Sequence, residues 1–209
     1  IIIQRSNGDV FLSLSLIKWI NDSFKSSKID LLVNDDTAAV AKLLPFINKI
    51  HIFSYKEKKN NRWSQEKAIF KKIFRKYDLS INLTASDRSV IYSILASRES
   101  ISAIENEYLK SWWKKIVLSY FYYFDSNKHI LINNSEPLNC LKINHNNIHK
   151  SIDISPEVIS NVTKELLNNK ITKYIIFHPS AQYNYKVYPK NLRNKLLLSL
   201  NELGIPIII

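Results

Sequence analysis

Short apolar runs alternate with amphipathic stretches along this chain, and that alternation constrains its fold more than any other feature. β-branched and aromatic residues crowd segments 1–4, 30–33, 49–53, 79–83, 174–177 and 206–209, which read as strands. Helical spacing fills the intervals 10–24, 37–44, 64–76, 86–97, 105–124, 156–167 and 190–203. Strand, helix and strand in succession demand a largely parallel sheet with right-handed crossovers, so the fold class is α/β. Gly204 stands just past the last helix, where a left-handed residue ends it. Between 126 and 155 the period dissolves into Asn-rich and Lys-rich sequence, and Pro156 opens a new helix. The predicted division is an α/β domain over 1–150 and a second domain beginning within 151–209.

With 45% hydrophobic residues in 209, the chain has ample material for a core. A single cysteine, Cys140, excludes an internal disulfide and fits a reducing compartment. No apolar run approaches the roughly 20 residues of a membrane span, and the start does not resemble a signal peptide. The expectation is a soluble, cytoplasmic protein. Lys and Arg number 30 against 18 Asp and Glu, and the resulting +12 favours phosphates, anionic lipid or nucleic acid as partners. Met is absent, and 205–209 reads as a strand with nothing to follow it, so a missing C-terminal part is expected.

Two loops carry the chemistry. Tyr174 to Phe177 suits a strand covered on both faces, His178-Pro179 stops it, and a polar loop brings Lys186 to a helix with Pro189 at its first position. Ligands of open α/β sheets bind where such loops meet helix N-termini, and a lysine there is a natural phosphate partner. The first strand ends in Gln4-Arg5-Ser6-Asn7-Gly8-Asp9-Val10, and Gly8 is one of only 2 glycines. A glycine kept there suggests positive φ or close approach of a ligand. Asp9 reads either as a helix cap or as a general base at the carboxyl edge of the sheet.

Together, Ser6-Asn7-Gly8-Asp9-Val10, Tyr77-Asp78-Leu79-Ser80-Ile81-Asn82-Leu83 with Ser86-Asp87-Arg88-Ser89, and His178-Pro179-Ser180-Ala181 with Lys186-Val187-Tyr188-Pro189 resemble the bacterial lipopolysaccharide heptosyltransferases of glycosyltransferase family 9. The resemblance implies the GT-B architecture, two Rossmann-like domains with parallel sheets, the second here truncated. It implies transfer of heptose from ADP-heptose to the inner core of lipopolysaccharide, on a Kdo-linked lipid A acceptor, with inversion and without a metal or other cofactor. Asp9 would take the acceptor proton. Lys186, Ser180, Ala181 and Gln182 would bind the donor's phosphates, and Ser6, Asn7 and Gly8 would shape the substrate loop. The enzyme would sit peripherally on the cytoplasmic side of the inner membrane. The sequence departs from the family's pattern at Ser180, where a glycine is usual, at Tyr188, where a tryptophan is usual, and in the first helix, which lacks an early proline.

Other readings compete for some residues. Asp35-Asp36 invites comparison with a metal-binding D-x-D but lacks the spacing, and capping ahead of Thr37 is the favoured use. His145 and His149 are spaced to share a helix face, yet lack a zinc-hydrolase glutamate. His178 is either structural or a donor contact. The helix containing Trp112-Trp113-Lys114-Lys115 reads as a core helix through its apolar positions 109, 112, 113, 116, 117, 120 and 124. Docking on an anionic membrane is the alternative. A GT-B relative with another nucleotide-sugar donor remains open, as does a basic nucleic-acid-binding module, although no RNP, KH or zinc-finger pattern appears and nucleic acid is not expected.

Overall fold

The computed structural model describes residues 1–145, 154–181 and 184–209, without the side chains of 58–62. Two compact units result, Ile1–Asp153 and Ile154–Ile209.

The first unit is built on strands β1 (Ile2–Ile3), β2 (Ile29–Asn34), β3 (Ile47–Phe53), β4 (Tyr77–Asn82), β5 (Ser97–Ile104) and β6 (Tyr120–Tyr123). Its helices are α1 (Asn7–Phe11), α2 (Leu14–Ser23), α3 (Ala38–Ala41), α4 (Tyr55–Ile73), α5 (Asp87–Ala96), α6 (Tyr108–Val117) and α7 (Ile130–Cys140). All six strands are parallel, in the order β3-β2-β1-β4-β5-β6. The chain winds outward from β1 to β3, returns to the other side of β1, and winds outward again. A doubly wound sheet of this order reverses direction between β1 and β4.

Strand alternation explains why helices cover both faces. Ile3, Leu31, Val33 and Ile81 point to one side, where Val10, Leu14, Ile17 and Leu138 from the helices pack on them. Ile2, Leu32 and Phe53 point to the other, against Ile69 and Ile73 of α4 and Tyr92 and Ala96 of α5. Truncating a fully buried member such as Leu31 would cost about 2–5 kcal/mol.

The α/β class and the parallel sheet agree with the sequence pattern, but four readings need correction. The helix expected over 105–124 ends at Val117, and the aromatic run after it is the edge strand β6. A short run of Tyr and Phe fits either period, and pairing with β5 decides it. The strand β5 was hidden because Ser97, Ser100 and Ser102 lie buried in it, each with a hydrogen-bond partner. In the loosely patterned stretch, α7 forms because Asn133 bonds the backbone of Asp125 and Asn134 donates to the carbonyl of Leu12. Near the start, a single helix over 10–24 is replaced by α1 and α2, separated where the buried Ser13 hydroxyl donates to the carbonyl of Val10 at 2.6 Å.

The second unit contains α8 (Pro156–Asn168), β7 (Ile175–Ile176), α9 (Lys190–Asn201) and β8 (Ile207–Ile208). Ser155 caps α8 ahead of Pro156. The strands pair in parallel, Ile175 beside Ile207, so β7, α9 and β8 make one βαβ unit. Gly204 takes φ +63° in the turn after α9, two residues beyond the helix's C-cap at Glu202, where the sequence reading had it cap the helix itself. Pro189 stands one position earlier than expected, at the N-cap. The strand expected to be covered on both faces is not: Ile176 is 72% exposed, because a sheet of two strands offers its neighbours little to cover.

Candidate active site

At the reversal between β1 and β4, the loops leaving the two strands meet at the carboxyl edge, where doubly wound sheets bind their ligands. The loop after β1 carries Ser6, Asn7, Gly8 and Asp9, all at or beside the N-terminus of α1. Ser6, Asn7 and Gly8 are exposed, and Asp9 is partly buried. Gly8 is helical, without positive φ, and a Cβ there would meet nothing within 4 Å. The expectation of a left-handed glycine is therefore corrected, and open space in front of the backbone is what the position offers.

The Asp9 carboxylate is held asymmetrically. Its Oδ2 accepts from the Ser6 N–H at 3.1 Å and the Ser6 hydroxyl at 2.8 Å, and Arg5 Nε stands 3.3 Å away. Among the described residues, no donor reaches Oδ1. Arg5 is itself fixed by stacking on Phe124, 4.4 Å from the ring centre. One oxygen is thus saturated and the other is open, which orients a carboxylate without spending it. The capping reading of Asp9 holds as far as the Ser6 N–H is concerned, and it leaves Oδ1 available.

The loop after β4 supplies the other wall. Thr84 accepts from the backbone N–H of Gln4 at 2.9 Å, tying the two loops together. Ser86 caps α5. Arg88, in the first turn of α5, lies 3.8 Å over the ring of Phe53 and reaches Gln4 Oε1 and the Tyr55 hydroxyl, both at 3.4 Å. Beyond it, Lys114 is fully buried, and its ammonium is held by the Ala85 carbonyl, Glu105 and Asp87 at 2.8, 2.6 and 2.7 Å.

In the second unit, Ser180 and Ala181 are exposed in the loop after β7. Lys186 closes a short 3-10 turn, Asn184–Lys186, before α9, and its ammonium is 5.7 Å from the Tyr185 ring. Arg193 of α9 donates to the carbonyl of Pro179, pinning the loop to its helix. Gln182 lies outside the described residues. Asp9 belongs to one unit and Lys186 to the other.

A cavity of about 1020 Å³ opens at the opposite, amino edge of the larger sheet, lined among others by Asp30, His51, Lys72, Lys76 and Tyr77. Helix N-termini and their orphan N–H groups gather at the carboxyl edge instead, so that edge is the better candidate. Of the rival readings, Asp35 accepts the Ser54 hydroxyl at 2.7 Å within a 3-10 turn, and Asn34 takes the capping position expected of the aspartates. His145 bonds the carbonyl of Ile143, and His149 lies outside the described residues.

Comparison with known proteins places the fold. Over 115 residues the chain is 27% identical to lipopolysaccharide heptosyltransferase 3 of Escherichia coli, taking in 54% of this chain and 34% of that protein. A glycosyl transferase family 9 structure from Veillonella parvula DSM 2008 matches with a TM-score of 0.75 at 16% identity, over 99% of this chain and 60% of that one. The chain has the fold of the family 9 glycosyltransferases. Escherichia coli heptosyltransferase WaaC, solved with ADP-2-deoxy-2-fluoro heptose, matches with a TM-score of 0.74 at 14% identity, over 99% of this chain and 66% of that one. No protein-family model matches the chain. The chain thus spans about a third of its curated relative and less than two thirds of these solved structures.

On this fold, Ser6, Gly8 and Asp9 share the loop after β1, and the sequence reading gave no site role to Arg5, Arg88 or Lys114. Arg88 had a signal, since it sits inside the Ser86-Asp87-Arg88-Ser89 motif. Lys114 had none: flanked by Trp113 and Lys115, it read as a surface charge.

Proposed function

We propose that the chain is the acceptor-side domain, 1–150, and the opening of the donor-side domain, 151–209, of an inverting GT-B enzyme. It transfers heptose from ADP-heptose to a Kdo-linked lipid A acceptor in lipopolysaccharide inner-core synthesis. The observation that carries this is Asp9, oriented through Oδ2 with Oδ1 open at the reversal of a doubly wound sheet. An acceptor hydroxyl gives its proton to Oδ1 as its oxygen bonds the anomeric carbon. The bond from that carbon to the diphosphate breaks on the opposite side, and ADP departs with the electron pair. A placed base of this kind supplies about 10² to 10⁴ in rate. Lys186, with Ser180, Ala181 and Gln182, receives the charge that accumulates on the diphosphate, so the scheme calls on no metal and no further cofactor.

The test is calorimetric titration of the full-length protein with ADP and ADP-heptose beside UDP-sugars and a short oligonucleotide, followed by transfer assays. Selective binding of the adenine nucleotides, weakened by Lys186→Ala, supports the reading. Preference for UDP-sugars changes the donor, and binding of the oligonucleotide alone overturns the function.

We also infer peripheral attachment to the cytoplasmic face of the inner membrane, and here the surface of the first unit supports it. Contrary to the core-helix expectation, α6 turns Leu109 and Ile116 outward, 85% and 74% exposed, with Tyr108, Trp112 and Val117 beside them. From α6, Trp113 packs against the buried trio Val90, Ile104 and Leu118, beside Ile94 of α5. Tyr120, Phe121 and Tyr123 of β6 are exposed as well, and Lys115 stands 5.2 Å from the Tyr123 ring. Aromatics with lysines among them suit an anionic headgroup layer. No helix among the described residues is long and apolar enough to cross a membrane.

A further inference from the structure

The cavity of about 1020 Å³ at the amino edge of the larger sheet takes no part in the transfer chemistry assigned to Asp9 and Lys186. Its volume lies at the upper end of what small-molecule sites enclose, so a bare ion would leave most of it to water. Its lining is of two kinds. Ile20 and Phe24 of α2, with Ile50 and Leu79, supply apolar surface, and Phe24 is 46% exposed. Lys28, Lys49, Lys72 and Lys76 supply charge.

These lysines do not form one solvated helix face. Lys28 precedes β2, Lys49 lies within β3, Lys72 is in the last turn of α4 and Lys76 stands just before β4. Lys72 complements the C-terminal end of the α4 dipole, but Lys28 and Lys49 stand at no helix end. In the same unit Lys18, Lys110 and Lys114 each pair with a carboxylate, whereas among the described residues none of the four cavity lysines does. The acids of the cavity are Asp30 and Asp78, and Asp30 already accepts from the Tyr77 hydroxyl and from Asn48, both at 2.8 Å. Four ammonium groups against two carboxylates, in a concavity with apolar walls, concentrate anions.

A second feature of the same cavity is an acceptor. The Tyr77 hydroxyl has a single proton and gives it to Asp30, so the 2.9 Å bond between Tyr77 and His51 Nε2 uses the imidazole's proton. Burial keeps the ring neutral near neutral pH, and Nδ1 is left as an acceptor to which nothing among the described residues donates. Strand alternation puts Lys49, His51 and Phe53 on one side of β3, the side covered by α4, and Lys72 of α4 is close enough to His51 to disfavour its protonation further. Cations for a phosphate, with an acceptor for a hydroxyl beside them, match a phosphate ester that carries hydroxyl groups.

We propose that the amino-edge cavity binds a hydroxylated phosphate ester, a sugar phosphate or a nucleotide, with Lys49 and Lys72 taking the phosphate and His51 Nδ1 accepting from a hydroxyl. Neither Asp9 nor Lys186 belongs to this site, so it stands whether or not the chain transfers heptose.

The experiment is a ligand-observed NMR titration of the full-length protein near neutral pH with glucose 6-phosphate, AMP, inorganic phosphate and glucose. Wild type is compared with Lys186→Ala, His51→Gln and the double variant Lys49→Gln/Lys72→Gln. Wild type should bind one of the two esters at least about tenfold better than either glucose or inorganic phosphate. A preference for AMP identifies a nucleotide whose base stacks on Phe24, and a preference for glucose 6-phosphate identifies a sugar phosphate. The double variant should lose about tenfold or more in affinity for that ester with an unchanged thermal midpoint, since both lysines are exposed. His51→Gln should weaken the ester and leave inorganic phosphate as it was, and Lys186→Ala should change neither. Esters bound no better than glucose or inorganic phosphate overturn the proposal. So does a double variant or a His51→Gln variant that binds the ester as wild type does, or ester binding that is lost in Lys186→Ala.

Discussion

Lys114 Nζ lies 2.6 Å from Glu105 Oε2, with the lysine side chain wholly buried and the glutamate still in reach of water. The asymmetry predicts an order of effects. Removing the glutamate strands a buried cation with Asp87 and one carbonyl, whereas removing the lysine leaves carboxylates that can rehydrate. Glu105→Ala should therefore cost about 3 kcal/mol and Lys114→Met only about 1 kcal/mol. Denaturant midpoints of the two variants measure this directly, and a reversed order would mean that the ammonium is not held as described.

Asp9 separates catalysis from folding because its two oxygens have different neighbours. In Asp9→Asn the amide oxygen still accepts from Ser6, so the thermal midpoint should hold while transfer falls by about 10² to 10⁴. Ser6→Ala removes one donor to Oδ2 and should lower kcat by roughly five- to tenfold, the worth of about one hydrogen bond. Should Asp9→Asn turn over normally, some other group must be the base.

Much of this edge was legible in the sequence because its signals are local. Ser6, Gly8 and Asp9 are neighbours in the chain, and Ser86 caps the helix that follows it. What remained hidden depends on distant partners. Serines in β5 look like loop until their bonds to Asn82 and Ser119 are seen. Lys114 is inside, and Leu109 and Ile116 outside, on a helix whose apolar spacing gives no hint of that inversion. The Arg88 contact with Gln4 spans most of the first unit, and no periodicity foretells it.

At the amino edge, a polar relay predicts a pH dependence. His51 Nε2 is 2.9 Å from the Tyr77 hydroxyl, which donates to Asp30 Oδ2 at 2.8 Å. Burial holds the His51 imidazole below its ordinary value, and although Asp30 pulls the other way, Lys72 adds to the lowering. For Asp30, burial pushes upward but the bonds from Asn48 and Tyr77 outweigh it, so its carboxyl also titrates low. In both cases the unfolded chain takes up the proton first, and stability falls as pH falls. The His51 step begins below its unfolded value of 6.5, and the Asp30 step begins only below 3.8. Thermal midpoints from pH 7.5 to 5 should decline in wild type and decline less in His51→Gln. Parallel curves would show that His51 is not the group responsible.

The outward face of α6 yields a prediction in which stability and binding part company. Leu109 and Ile116 are mostly exposed, so replacing both with Ser should leave the thermal midpoint nearly unchanged, as surface substitutions do within about 0.5 kcal/mol. If the face enters an anionic headgroup layer, the same change removes two apolar anchors, each worth on the order of 1 kcal/mol or more when buried. Co-sedimentation with vesicles containing phosphatidylglycerol should then drop by about tenfold or more. Lys115→Gln should weaken binding less, and mainly at low salt, because its contribution is screened. A wild-type protein that ignores such vesicles at low salt, or a double variant that binds them as well as wild type, assigns the exposed helix to some other partner.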